Sequence, residues 1–238
     1  MKSHKPKLEV LAVDNHILVV NKPAGLPVQQ DESGDEDMLT IAKSYIKDKY
    51  DKPGNVFLGL VHRIDRPASG VVVFARTSKS AGRLGEQFRA RQVRKKYVAL
   101  VEGRCTGEGQ LDHYLVTKGR TTVLAGKGSR GAKRARLNWR SKAIIGKWSL
   151  LEVELLTGRK HQIRCQLSSM GFPIAGDLRY NAKQSFDGQN IALHCCTLGF
   201  KHPVKRTDEF YSAMPRWNVD SSIHAHIREI IKQTRVAS

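Results

Sequence analysis

Cysteine is scarce in this chain of 238 residues: there are four. They are Cys105, Cys165, Cys195 and Cys196, with no CxxC spacing and the last two adjacent. That pattern makes neither a zinc site nor a disulfide framework, and it fits a reducing, cytoplasmic compartment. Long apolar runs are also missing. The longest, such as residues 17–20 and 71–75, are far too short to span a bilayer. The first six residues lead into no apolar signal region, which points away from secretion. Acid is the third shortage. Asp and Glu number 22 against 41 Lys and Arg, a formal charge of +19. Such an excess speaks of partners rather than of fold. Nucleic acid comes first, because a phosphate backbone rewards Lys and Arg by counterion release. An anionic membrane surface comes second and would want an amphipathic helix or a lipid anchor. HExxH, GxSxG, Walker and strand-linked Rossmann motifs are absent.

What remains is enough to build one sizeable domain. Hydrophobic residues make up 40% of the chain, so wholesale disorder is excluded. Residues 8–14 and 17–21 read as short strands around an Asp-Asn-His turn. Residues 21–27 break regular structure with two prolines and a glycine, and an acidic stretch follows. Residues 38–49 have helical spacing. Residues 57–61 and 71–75 read as buried strands flanking residues 62–70. Thr77 is placed to cap a helix carrying Ala81, Leu84 and Phe88 on one face. Further strands are expected at 97–102, 148–155 and 191–200, and helices at 159–170 and 222–232. Residues 118–136 hold seven basic residues, several glycines and no acid, and read as a mobile loop. Strands and helices mix without βαβ alternation, which predicts an α+β fold with a large, mostly antiparallel sheet.

Four segments offer chemistry. In Val61-His62-Arg63-Ile64-Asp65-Arg66-Pro67-Ala68-Ser69-Gly70, one carboxylate sits among cations between apolar strands. An ionised carboxylate in a cleft serves as nucleophile or general base. The competing reading is an Asp that organises a turn and neutralises two arginines. In Thr157-Gly158-Arg159-Lys160-His161-Gln162-Ile163-Arg164, a helix would place Lys160 and His161 beside Arg164. It would bind phosphate, bring Arg164 to a carboxylate, or be a solvated basic face. Arg94-Lys95-Lys96-Tyr97 offers a stacking ring beside cations, or merely a core tyrosine. The stretch 118–136, with Arg130, Lys133 and Arg134, is an RNA-contacting arm or a solvated loop. Asp65 has no second carboxylate nearby in sequence, so chemistry around one aspartate is the simplest enzyme reading.

The segment HRIDRPASG (residues 62–70) resembles the signature loop of RluA-type RNA pseudouridine synthases. NKPAGLPVQ (21–29), RKKYVALVEG (94–103), LLTGRKHQIRCQLSSMGFPIAGDLRY (155–180) and ALHCCTLGFKHP (192–203) resemble the family's other motifs, in the expected order. The resemblance covers residues 8–216, leaving a basic tail at 1–7 and a helical extension at 217–238. It implies a curved mixed sheet with a central cleft and isomerisation of uridine to pseudouridine in rRNA or tRNA. It implies a monomer that needs no cofactor or metal. Carried over by position, Asp65 is the catalytic aspartate, which attacks C1′ or removes a sugar proton. Tyr97 stacks on the base and helps in the later proton transfer, and Arg164 holds the aspartate. Leu193 is an apolar wall, and His62 and Arg63 displace the target base. Arg66, Lys160 and His161 then bind substrate, and Arg94, Lys95, Lys96, Arg130, Lys133 and Arg134 hold the RNA backbone.

Ala68 stands where the family commonly has Thr, and Asn181 where Gly is frequent. Many relatives carry a separate N-terminal RNA-binding module. Here the motifs begin within about twenty residues, too few for a small domain, so the catalytic domain itself is expected to hold RNA. A non-catalytic RNA-binding or ribosome-assembly protein on the same fold is the alternative. A phosphodiesterase or glycosidase would want a metal cluster or a second carboxylate.

Overall fold

A computed structural model describes residues 8–188 and 190–236. The basic tail expected at 1–7 lies outside the described residues. Eleven strands form a single sheet: β1 (Glu9–Val13), β2 (Ile17–Lys22), β3 (Gly59–Leu60), β4 (Ser69–Ala75), β5 (Arg94–Glu102), β6 (Glu108–Lys118), β7 (Thr121–Ala125), β8 (Lys133–Ile145), β9 (Trp148–Leu155), β10 (Leu193–Lys201) and β11 (Asp208–Ser212). Four α-helices accompany it: α1 (Met38–Lys49), α2 (Ser78–Arg89), α3 (Gln162–Ser169) and α4 (Ser221–Val236). A 3-10 turn spans Leu178–Tyr180. Strand order is β1-β2-β4-β10-β5-β9-β8-β6-β7, with β3 beside β4 and β11 beside β10. The β4–β10 pair is parallel and the other pairs are antiparallel. This is the expected α+β architecture.

The apolar runs of β2 and β4 follow from burial on both faces. Leu18, Val20, Val72 and Phe74 enter the larger core with Met38, Ala42 and Ile46 of α1. Ile17, Val19, Val71 and Val73 point the other way, toward Leu84 of α2. Asp37 caps α1 by accepting the Thr40 N–H at 3.0 Å, and Thr77 caps α2 by accepting that of Ser80 at 3.1 Å. Ile223, Ile227 and Ile230 of α4 and Trp217 before it belong to the larger core. The terminal helix is thus packed into the domain rather than appended to it.

Three elements differ from the sequence reading. The strand expected at 57–61 shrinks to the two residues of β3, and Phe57 is 51% exposed. Stretch 118–136 is not a loop: Lys118 ends β6, β7 folds back on one edge of β6 as a hairpin, and after a turn β8 starts along the other edge. Its glycines sit at the turns, Gly119, Gly128 and Gly131 all having positive φ. The helix expected from 159 begins at Gln162, because His161 takes a left-handed conformation, φ 52°.

The central strands set up one side of the sheet for chemistry. Gly70 pairs with Cys195, and Cys195 pairs with Tyr97, so β4, β10 and β5 align in one row. At Gly70, φ is +130° and a Cβ would lie 2.4 Å from the Cys195 backbone nitrogen. Only glycine fits there, and its presence draws the end of the signature loop against β10.

Candidate active site

A cleft of about 590 Å³ opens beside this row, lined by Asp65, Tyr97, Arg164, His161, Leu193 and Arg63 among others. Asp65 lies in the loop entering β4, Tyr97 in β5, Leu193 at the start of β10 and Arg164 in the first turn of α3. Four separate segments therefore meet at one place.

Arg164 is the hub. It is almost fully buried, and Nη1 donates to Asp65 Oδ2 at 3.2 Å. Its other edge makes a fork: Nε to Asp177 Oδ2 at 2.6 Å and Nη2 to Asp177 Oδ1 at 2.8 Å. Burial alone would weaken the guanidinium charge, but the bonds and charges of Asp177 and Asp65 outweigh it and push its pKa up. The Tyr180 ring covers the guanidinium, 4.9 Å from centroid to Cζ. Asp177 is itself buried, so its paired geometry fixes the orientation of Arg164 before any substrate arrives.

Asp177 went unrecognised in the sequence. It follows Gly176, whose φ is +85° and whose Cβ would meet the Asn190 carbonyl oxygen at 2.5 Å. The Gly-Asp pair in a segment holding Arg164 was the available signal; the fork itself depends on tertiary folding.

Asp65 keeps 24% of its side chain exposed, toward the cleft. The two basic side chains nearest it both lie against Oδ2: Arg164, and His161 Nε2 at 4.0 Å. Oδ1 is thereby left for a substrate. Tyr97 is buried, and burial, reinforced by the neighbouring Cys195 thiol, pushes its phenol well above the usual range, so it stays protonated. Leu193, also buried, completes an apolar wall.

The other expected residues divide. His62 lines the cleft, but its ring stacks on Phe88 with centroids 4.6 Å apart, and its Nε2 accepts the Val73 N–H at 3.0 Å. Burial, helped by the Lys95 charge, pulls its pKa down to about 3. It is a neutral anchor for the signature loop. Arg63 is exposed beside it. Lys95 and Lys160 also line the cleft.

Arg66, Lys96 and Arg134 are placed otherwise. Arg66 turns outward: Nη1 donates to Ser33 Oγ at 2.8 Å, Nε donates to the Gly25 carbonyl at 3.0 Å, and Nη2 pairs with Asp35. The acidic stretch at 31–37 has claimed it. Lys96 faces the opposite side of β5 from Tyr97, as the two-residue period of a strand requires, and pairs with Glu152 at 2.8 Å. Arg134 is bound in a fork by Asp112, at 2.9 and 2.6 Å. Arg94, Arg130 and Lys133 are exposed but do not line the cleft.

Lys22, also unrecognised in the sequence, is completely buried beneath the site. Its Nζ donates to the carbonyls of Pro23, Leu26 and Arg66 at 2.9, 2.7 and 3.2 Å. Three donors meet three acceptors, binding the 23–26 turn to the signature loop. Burial brings its pKa down to about 7, against the pull of the Asp65 charge.

Residues 16–169 match the model of the RNA pseudouridylate synthase family. The ribosomal large subunit pseudouridine synthase D of Zymomonas mobilis is 35% identical over 222 residues, covering 88% of this chain and 70% of its own. An uncharacterized RNA pseudouridine synthase of Bacillus subtilis is 31% identical, covering 87% and 68%. The solved structure of human RNA pseudouridylate synthase domain containing 4 superposes with a TM-score of 0.72 at 25% identity, over 94% of this chain and 93% of that one. The chain belongs to the RNA pseudouridine synthase family, of the RluA type, whose members are isomerases.

Proposed function

We propose that this protein isomerises a uridine in structured rRNA or tRNA to pseudouridine, with Asp65 carrying the chemistry. The observation that carries this reading is the Asp65 carboxylate, held through one oxygen by Arg164 at 3.2 Å, beside Tyr97 in the cleft. Relatives named as ribosomal large subunit and tRNA pseudouridine synthases support RNA as substrate.

The reaction breaks the C1′–N1 bond of uridine and forms a C1′–C5 bond. The base gains a proton at N1 and loses one from C5, so no electrons, water or co-reactant are consumed. A uridine in folded RNA must first leave its stack. Arg63, exposed on the signature loop, fills the gap, while the Tyr97 ring and Leu193 receive the base. Asp65 Oδ1 then attacks C1′ or takes a proton from the sugar. Either route detaches the base, and the apolar walls keep it from solvent while it turns. After C5 joins C1′, a base must take the C5 proton. Asp65 and the protonated Tyr97 phenol are the two groups at hand.

The non-catalytic alternative predicts RNA binding that ignores Asp65. Asp65→Asn and Asp65→Ala are therefore assayed for pseudouridine in cellular RNA, with salt-dependent RNA binding measured in parallel. Loss of product with binding retained is expected. Undiminished product overturns the assignment.

A further inference from the structure

We propose that His161 and Tyr180 form a positioning pair for the Asp65 carboxylate, linking its orientation to the seating of β7 and the basic turn that follows it. This deepens the reaction assigned above and rests on it. The chain of contacts runs Thr122–Tyr180–His161–Asp65. The Tyr180 hydroxyl oxygen accepts the Thr122 N–H at 2.8 Å. Its own proton has two acceptors within reach, His161 Nδ1 at 2.9 Å and the Thr122 carbonyl at 3.2 Å. The other imidazole nitrogen, Nε2, stands 4.0 Å from Asp65 Oδ2.

The imidazole is neutral at pH 7. Burial lowers its pKa to about 4 against the pull of Asp65, with the cations Arg164, Lys160 and Arg179 lowering it further. A neutral ring carries one proton, so the two ends are linked. If Tyr180 donates to Nδ1, the proton of His161 sits on Nε2 and faces the carboxylate favourably. If Tyr180 donates to Thr122 instead, Nδ1–H turns to the tyrosine oxygen. A bare lone pair then faces Asp65. The carboxylate selects the first arrangement, in which Arg164 and His161 both favour Oδ2 and direct Oδ1 to the substrate. The 4.0 Å gap closes to a hydrogen bond when the cleft closes on RNA, as such contacts do in a reactive complex.

Two further observations point the same way. His161 holds a left-handed backbone at φ 52°, a conformation costing a non-glycine residue about 1–2 kcal/mol. A position that needed only the turn would take glycine or asparagine. Thr122 belongs to β7, the last strand of the sheet order, which runs into the turn bearing Lys127 and Arg130. Phosphates drawn to that turn press on a strand whose backbone holds the tyrosine.

The test uses Tyr180→Phe, His161→Ala and His161→Gln in the full chain, with Asp65→Asn alongside. Tyr180→Phe keeps the ring over Arg164 and removes only the hydroxyl. His161→Gln returns an N–H donor without a titrating ring. We expect kcat to fall about tenfold in Tyr180→Phe and His161→Ala, with KM nearly unchanged, and His161→Gln to recover most of it. The acid limb of the pH profile should move upward in His161→Ala. Its carboxylate then keeps Arg164 and Lys22 as cations but loses a donor, while Tyr97 stays neutral. A wild-type kcat in folded His161→Ala, a loss that glutamine does not recover, or a change in KM alone for Tyr180→Phe overturns the proposal. If Asp65→Asn stays active, the reaction assignment fails too; if it is dead while His161→Ala is normal, this proposal fails alone.

Discussion

One guanidinium serves two carboxylates, and the two do different work. Asp177 takes the fork of Arg164 and is sealed from solvent; Asp65 takes the remaining nitrogen and keeps an oxygen for chemistry. Asp177→Ala should therefore do double damage. It leaves a buried cation short of its main partner, a change costing about 3–5 kcal/mol, so the thermal midpoint should fall by roughly 6–20 °C. It also frees Arg164 to rotate, and kcat should drop well below that of the wild type at temperatures where the variant is folded. Calorimetry and single-turnover assays check the two effects separately. Asp65→Asn should by contrast leave the midpoint within a few degrees of the wild type while removing turnover. Asp65, Tyr97 and Arg164, which the structure brings to one cleft, could be singled out because each lies in its own distinctive segment. Asp177 and Lys22 were not, because their roles depend on partners brought together by folding and their local surroundings look ordinary.

At the scale of elements, the signature loop is held from both ends. Lys22 fastens its middle to the 23–26 turn, and the glycine at 70 allows β10 to press against its exit. Gly70→Ala should disrupt this pairing outright, since the added carbon meets backbone rather than a side chain that can move. Loss of soluble expression or a large fall in the urea midpoint is the expected result. The basic stretch that joins β7 to β8 makes a different prediction. Lys127, Arg130 and Lys133 are exposed on it, whereas Arg134 is bound to Asp112. Replacing those three by glutamine should flatten the log–log salt dependence of RNA binding by about two to three, at roughly 0.7–0.9 per phosphate released. Adding Arg134→Gln should change it little further. An unchanged slope for the triple variant would mean that this stretch does not meet phosphate. Apolar patterning made β2, β4 and α1 legible in the sequence. The strands at 121–125 and 133–136 were not, because basic residues and glycines dominate the stretch while their pairing partner, β6, is set by the fold. Nor was the start of α3, where a left-handed histidine delays the helix with no signature in residue type.

For the molecule as a whole, three imidazoles with lowered pKa values bear on the response to acid. His62 sits at about 3, and His161 and His194 at about 4, all pulled down chiefly by burial from an ordinary value of 6.5. Between pH 6.5 and 4 the unfolded chain takes up protons that the folded chain refuses. Stability is therefore complete above 6.5 and falls as the pH drops through this window, by a total on the order of several kcal/mol. Urea midpoints at pH 7, 5.5 and 4.5 should decline in that order, and a flat series would show that the histidines charge within the fold. At the same scale, β10 has an effect on the order of assembly. It is made late, from residues 193–201, yet it lies between β4 and β5 near the middle of the sheet. A chain emerging from the ribosome thus holds two unfinished half-sheets with complementary open edges until that strand arrives. The seam it closes runs beside Asp65 and Tyr97, so the two side chains come together at the step that removes both edges.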